Sequence, residues 1–230
     1  MSHPKDCLIV SLILSLAALS SSLIAAHDLH ELFAEGQGVE LVTVVLFGFA
    51  LVVWARTSPD RVQGWHIATI LALMAMREMD FDKRFTSNGV LQLRLYTADG
   101  PLIEKIIGLI VIAVILAAVW RLIRRDVAPW LFGLRAGRLQ AWLMVAAFGL
   151  LVFAKAIDGI GRKLAPFGVE FSPLFESRAA RIEELCEMLF AILIVQIIAL
   201  AYQGRRRWQA NHNDTLAMVP AFHPMVGQRN

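Results

Sequence analysis

Six apolar runs decide what this chain can be. They cover roughly residues 7–26, 39–55, 64–80, 101–121, 139–158 and 182–203, and each is close to the ~20 residues that a helix needs to cross the hydrocarbon core of a bilayer. The runs are continuous blocks, not alternating or sparsely amphipathic stretches. In lipid their backbone groups must be satisfied within the segment, which means helix. The expectation is therefore an all-α integral membrane protein, a bundle of about six transmembrane helices. Composition agrees, since 57% of the 230 residues are hydrophobic and the mean hydropathy is +0.60. Almost every residue outside the runs is needed for connections, so residues 1–208 read as one transmembrane domain with no separate catalytic module. Residues 209–230 are polar, carry Pro220 and Pro224 and lack periodicity, and read as a disordered cytoplasmic tail.

The charges outside the runs set the orientation. The segments 56–61, 121–138 and 204–208 are rich in arginine and alternate with the acidic segment 27–40. Lys/Arg bias marks the basic segments as cytoplasmic, which puts both termini inside and segments 27–38, 81–100 and 159–181 outside. Trp54, Trp65, Trp120, Trp130 and Trp142 fall near the inner boundary, as interfacial anchors do. A bacterial inner membrane, with the outer segments facing the periplasm, fits this pattern. The first run resembles a signal peptide in outline, but a cut after Ala25 or Ala26 would place Leu23 or Ile24 where a small residue is required, so an uncleaved helix is expected.

The net charge of +3 is explained by these juxtamembrane residues, so the chain gives no indication of a nucleic-acid partner. Cys7 and Cys186 are predicted near opposite faces without a C-x-x-C pattern, and support neither a disulfide framework nor a thiolate metal site. Of the outer segments, "SNGVLQLRLY" (87–96) alternates apolar and polar residues as a short strand or a surface-lying segment would, and 159–181 reads as a connection, lid or re-entrant loop.

The third run ends abruptly in Arg77, Glu78, Asp80, Asp82, Lys83 and Arg84, before it is long enough to cross. Counting ~1.5 Å of rise per residue from the inner basic segments puts Arg77 and Glu78 about 20–23 Å along a ~30 Å core. The same count places Glu40, Glu104, Lys105 and Lys155 at about 25 Å, and Asp158, Glu184 and Glu187 at about 27–31 Å. Five of the six runs thus share a charged layer in the outer part of the membrane. Such a layer points to an outward-open polar cavity, and intramembrane ionisable residues are candidates for function by default. Arg77, Asp80 and Arg84 share a helix face, as do Lys155, Asp158 and Arg162, while Glu183 or Glu184 shares one with Glu187.

The candidate binding residues are accordingly Glu40, Arg77, Glu78, Asp80, Glu104, Lys105, Lys155, Asp158, Arg162, Glu184 and Glu187. Acids outnumber bases in this set, and carboxylates in a low-dielectric site take up protons, hold a cation or pair. Three functions follow. The first is binding or transport of a small ion or anionic solute with proton or cation coupling, Arg77 and Lys155 meeting anionic groups. The second is a membrane-embedded enzyme acting on a lipid or lipid-linked substrate, in which the acids hold a divalent cation, joined by His27 or His30 if the metal is zinc or iron. The third is a scaffold or sensor subunit in which Arg77 pairs with Glu78 or Asp158, and Lys155 with Asp80 or Glu187. The enzyme reading has no motif behind it: H-E-x-x-H and G-x-S-x-G are absent. The partner common to all three is the bilayer; the sequence carries no sign of oligomeric state.

Overall fold

A computed structural model describes residues 4–25, 38–58, 60–81, 86, 89–97 and 100–217, with side chains to Ser21 in the first helix and to Gly204 in the last. Its helices are α1 (Pro4–Ala25), α2 (Gly38–Thr57), α3 (Trp65–Glu78), the single turn α4 (Arg94–Thr97), α5 (Leu102–Arg135), α6 (Leu139–Ile157), the short α7 (Ile160–Leu164) and α8 (Pro173–Ala217). A 3-10 turn, Ala165–Phe167, follows α7. Among the described residues there is no strand. Helices α1, α2, α5, α6 and α8 are long and apolar enough to cross a membrane. The run expected at 64–80 forms α3, which has 14 residues and reaches only about 21 Å.

Three segments that read as loops are helical. α5 does not stop at Arg121 but continues through Pro129 to Arg135, because Ile123, Val127, Trp130 and Leu134 extend the helical apolar pattern beyond the arginines. It ends in a turn closed by Gly137 at φ 66°, where Arg138 N–H donates to the Gly133 carbonyl (2.9 Å) and Gly137 N–H to that of Leu134 (3.0 Å). This tight C-cap sends the chain directly back into α6. α8 begins at Pro173, well before the predicted 182: Ser172 accepts from Phe175 N–H at 3.3 Å, and a cap residue followed by proline starts a helix. α8 also runs into the expected tail, so residues 209–217 are helical and 218–230 lie outside the described residues. The alternating segment near residue 90 forms a helical turn, its Tyr96 hydroxyl donating to the Val90 carbonyl at 2.7 Å.

α2, α8, α6, α5 and α3 follow one another as neighbours around a ring, and α1 packs outside it in the angle of α2 and α8. The tightest seams, α8 with α6 and α8 with α2, carry small side chains: Ala50, Ala147, Ala154 and Ala191 are all fully buried. Lipid removes the hydrophobic drive between helices, so close approach of small residues supplies the attraction. The apolar core joins Val39, Val42, Leu46 and Phe47 of α2 to Ala191, Ile192 and Val195 of α8. Buried hydroxyls bond within their own helices: Ser11 to the Cys7 carbonyl (2.7 Å) and Thr43 to that of Val39 (3.1 Å). With its oxygen and nitrogen assigned so that donors meet acceptors, the Gln196 amide ties α8 to α1, its nitrogen 3.0 Å from the Pro4 carbonyl and its oxygen 2.8 Å from Leu8 N–H.

Candidate functional site

Where the α2–α3 and α6–α8 walls of the ring meet, eight charged residues line one cavity of about 270 Å³: Glu40, Arg77, Glu78, Asp80, Lys155, Asp158, Glu183 and Glu187. Six arrive from a helix end or the turn beyond it, and two from within α8. Glu40 is in the first turn of α2 and Arg77 and Glu78 in the last of α3. Asp80 follows in a left-handed conformation, φ 46°, with its N–H donating to the Arg77 carbonyl at 3.0 Å. Glycine usually fills such a position, and aspartate tolerates it better than most residues. Lys155 lies in the last turn of α6 and Asp158 caps that helix, while Lys163 of α7 folds back to donate to the Lys155 carbonyl at 2.7 Å. On α8, Glu183 and Glu187 are one turn apart and face the cavity together.

Lys155 is the centre of the charge network. Its Nζ is 2.8 Å from Glu187 Oε1, 2.9 Å from Glu183 Oε1 and 3.9 Å from Asp158 Oδ2. Arg77 reaches across the ring to the same Glu187 oxygen, Nη2 to Oε1 at 3.0 Å. One buried carboxylate is therefore shared by a cation from α3 and a cation from α6. α3 makes little direct contact with α6 or α8, so these side chains span the space between the two walls.

Of the candidate residues, the structure brings Glu40, Arg77, Glu78, Asp80, Lys155, Asp158 and Glu187 together and places four others elsewhere. Glu104 and Lys105 do not line the cavity. Their height was counted from Arg121 as an inner end, whereas α5 continues to Arg135. The register is set instead by His66 Nε2, 2.8 Å from Asp126 Oδ2, and by Arg121 and Arg125, which both donate to the Gln63 carbonyl. Stepping outward from that level, α5 reaches the height of Arg77 near residue 115, so Glu104 stands about 16 Å beyond it. Arg162 lines an adjoining pocket of about 180 Å³ with Glu176 and Gly161. There the Glu176 carboxylate lies against Gly161, where a Cβ would collide with it.

The fourth is Glu184, which is replaced in the cavity by its neighbour Glu183. Both share a face with Glu187, at i,i+3 and i,i+4, and spacing alone does not choose between them. His66 is buried and bonded to α5. His27 and His30 lie outside the described residues. Among the described residues no group of three or more His, Cys, Asp or Glu side chains is placed to hold a metal ion. The chain matches no protein-family model, no characterised protein and no solved structure.

Proposed function

We propose that this is a multi-pass protein of a bacterial inner membrane, with α3 as a sixth crossing segment and both termini in the cytoplasm, whose outward-facing cavity binds a small cation. The observation that carries the reading is the charge balance of the lining. Among the described residues, six carboxylates, from Glu40, Glu78, Asp80, Asp158, Glu183 and Glu187, line the cavity with two basic groups, and Glu187 engages both of these. An anionic solute would have to displace those pairs and enter among the remaining acids. A cation, by contrast, lowers the repulsion within the lining.

Binding is better supported than passage. Directly inward of the cavity on α2 and α8, the lining gives way to Val42, Leu46, Phe47, Ala191 and Val195, all buried, and an ion has no ligands there. The reading is tested with protein in lipid nanodiscs, titrated with sodium, potassium, magnesium, calcium and methylammonium chlorides while thermal unfolding is followed. One cation should raise the midpoint saturably, by the linkage of binding to folding, and Asp158→Asn or Glu187→Gln should abolish the shift. Equal stabilisation by every salt in the series, or by none, would refute it.

A further inference from the structure

Four helices of the ring supply the cavity lining and the fifth supplies none. Among the described residues α5 contributes no side chain to the cavity, although it completes the ring between α3 and α6. Its seam with α6 is the smallest of the five seams of the ring. The contacts of that seam include Gly133, on which an added Cβ would stand 3.3 Å from the Ala141 side chain, and the Trp130 indole N–H donating to the Ala141 carbonyl at 3.1 Å. Both sit beside the tight turn that joins the helices. α5 is otherwise fastened to α3 near the inner surface, through Gln63 and His66, and further out Leu95 and Tyr96 rest against its Gly108. Two helices joined by a three-residue turn and sharing so small a seam give each other little hold toward the level of Lys155.

The cavity therefore has its weakest wall on the side of the bilayer. Ile110 and Val114 on α5 and Val152 and Phe153 on α6 are exposed, so both helices of this seam present apolar side chains where hydrocarbon would meet them. A cavity of about 270 Å³ holds a compact head group and a few waters, and leaves a long hydrocarbon tail to lie elsewhere. We infer that the cavity is entered sideways through the α5–α6 seam by a single-chain amphiphile, its alkylammonium head among the carboxylates and its tail along the seam. The sign of the head group rests on the cation reading above; the route rests on the helix packing.

The test uses the full chain in lipid nanodiscs with dodecylamine bearing a diazirine in mid-chain. After photolysis, labelled peptides are mapped, with thermal unfolding read in parallel for unlabelled dodecylamine and for methylammonium. Label should concentrate several-fold on α5 and α6 over α1, be displaced by unlabelled dodecylamine, and drop several-fold in Glu187→Gln. Asp158→Asn, altered at an exposed helix cap, should show the same drop should the first variant fail to fold. Label spread evenly over lipid-facing helices and indifferent to both variants would overturn lateral entry. If methylammonium still stabilises the protein in that case, the cation cavity stands and only the route fails. If neither amine shifts the midpoint, the cation reading itself fails with it.

Discussion

On α2, Glu40 lines the charged chamber, and within two turns Val42, Leu46 and Phe47 have entered the apolar core. α8 makes the same change between Glu187 and Ala191. The two regions share helices and neighbours but rely on opposite physics. The core is held by shape, since small and branched side chains meet without a drive from water. The chamber is held by pairing, with two cations distributed over several carboxylates. A substitution that changes volume should therefore damage the core and spare the chamber's chemistry, while one that changes charge should do the reverse.

The largest effect is expected in the core. Leu46 is fully buried, and Leu46→Ala should lower stability by roughly 2–5 kcal/mol through the void it leaves, measured by denaturant titration in detergent, with cation affinity unchanged in the fraction that remains folded. Equal loss of affinity and stability would mean that the two regions are one unit. Next comes Lys155→Met, which leaves Glu183 and Glu187 facing each other. Because Lys155 is 37% exposed, solvent screens part of the effect, and a loss of about 1–3 kcal/mol is expected. Adding Glu187→Gln should recover most of it, since the acid that the lysine compensates is then gone; no recovery would show that Lys155 acts through packing.

A smaller effect separates backbone from charge within the chamber. Asp80→Asn and Asp80→Ala both remove the carboxylate, but alanine tolerates the left-handed conformation less well, so Asp80→Ala should be about 1 kcal/mol less stable than Asp80→Asn. Equal unfolding midpoints would show that the backbone relaxes without loss. A last change of similar size concerns the fastening of α5: Asp126→Ala removes the partner of His66 and should cost about 1 kcal/mol with cation binding intact. A change in binding there would show that the inner junction and the outer chamber are coupled.

Much of this was legible from residue order. Apolar run length gave the long helices, and counting from the basic segments brought most of the chamber to one height. That count works for α2, α3 and α6, which end near the arginines used as markers, and for α8 although it continues past them to Ala217. It fails for α5, whose apolar periodicity carries the helix past Arg121, and with it fails the placement of Glu104 and Lys105. Ser172 followed by Pro173 was a readable start signal for α8, outweighed by the glycines and prolines around it. Glu183 against Glu184 was beyond spacing, because rotation of a helix about its axis is set by what packs on its other faces. The His66–Asp126 bond joins residues 60 apart, a relation that only the packed bundle contains.

α8 runs from Pro173 to Ala217 as one helix of 45 residues, about 67 Å of continuous rod. A rod transmits tilt. Pivoting on its packed middle by 5°, a half-length of about 33 Å would swing its inner end by about 3 Å, comparable to the helix shifts that switch subunit interfaces. Whatever alters the hold of Arg77 and Lys155 on Glu187 acts on one arm of a lever whose other arm extends to Ala217.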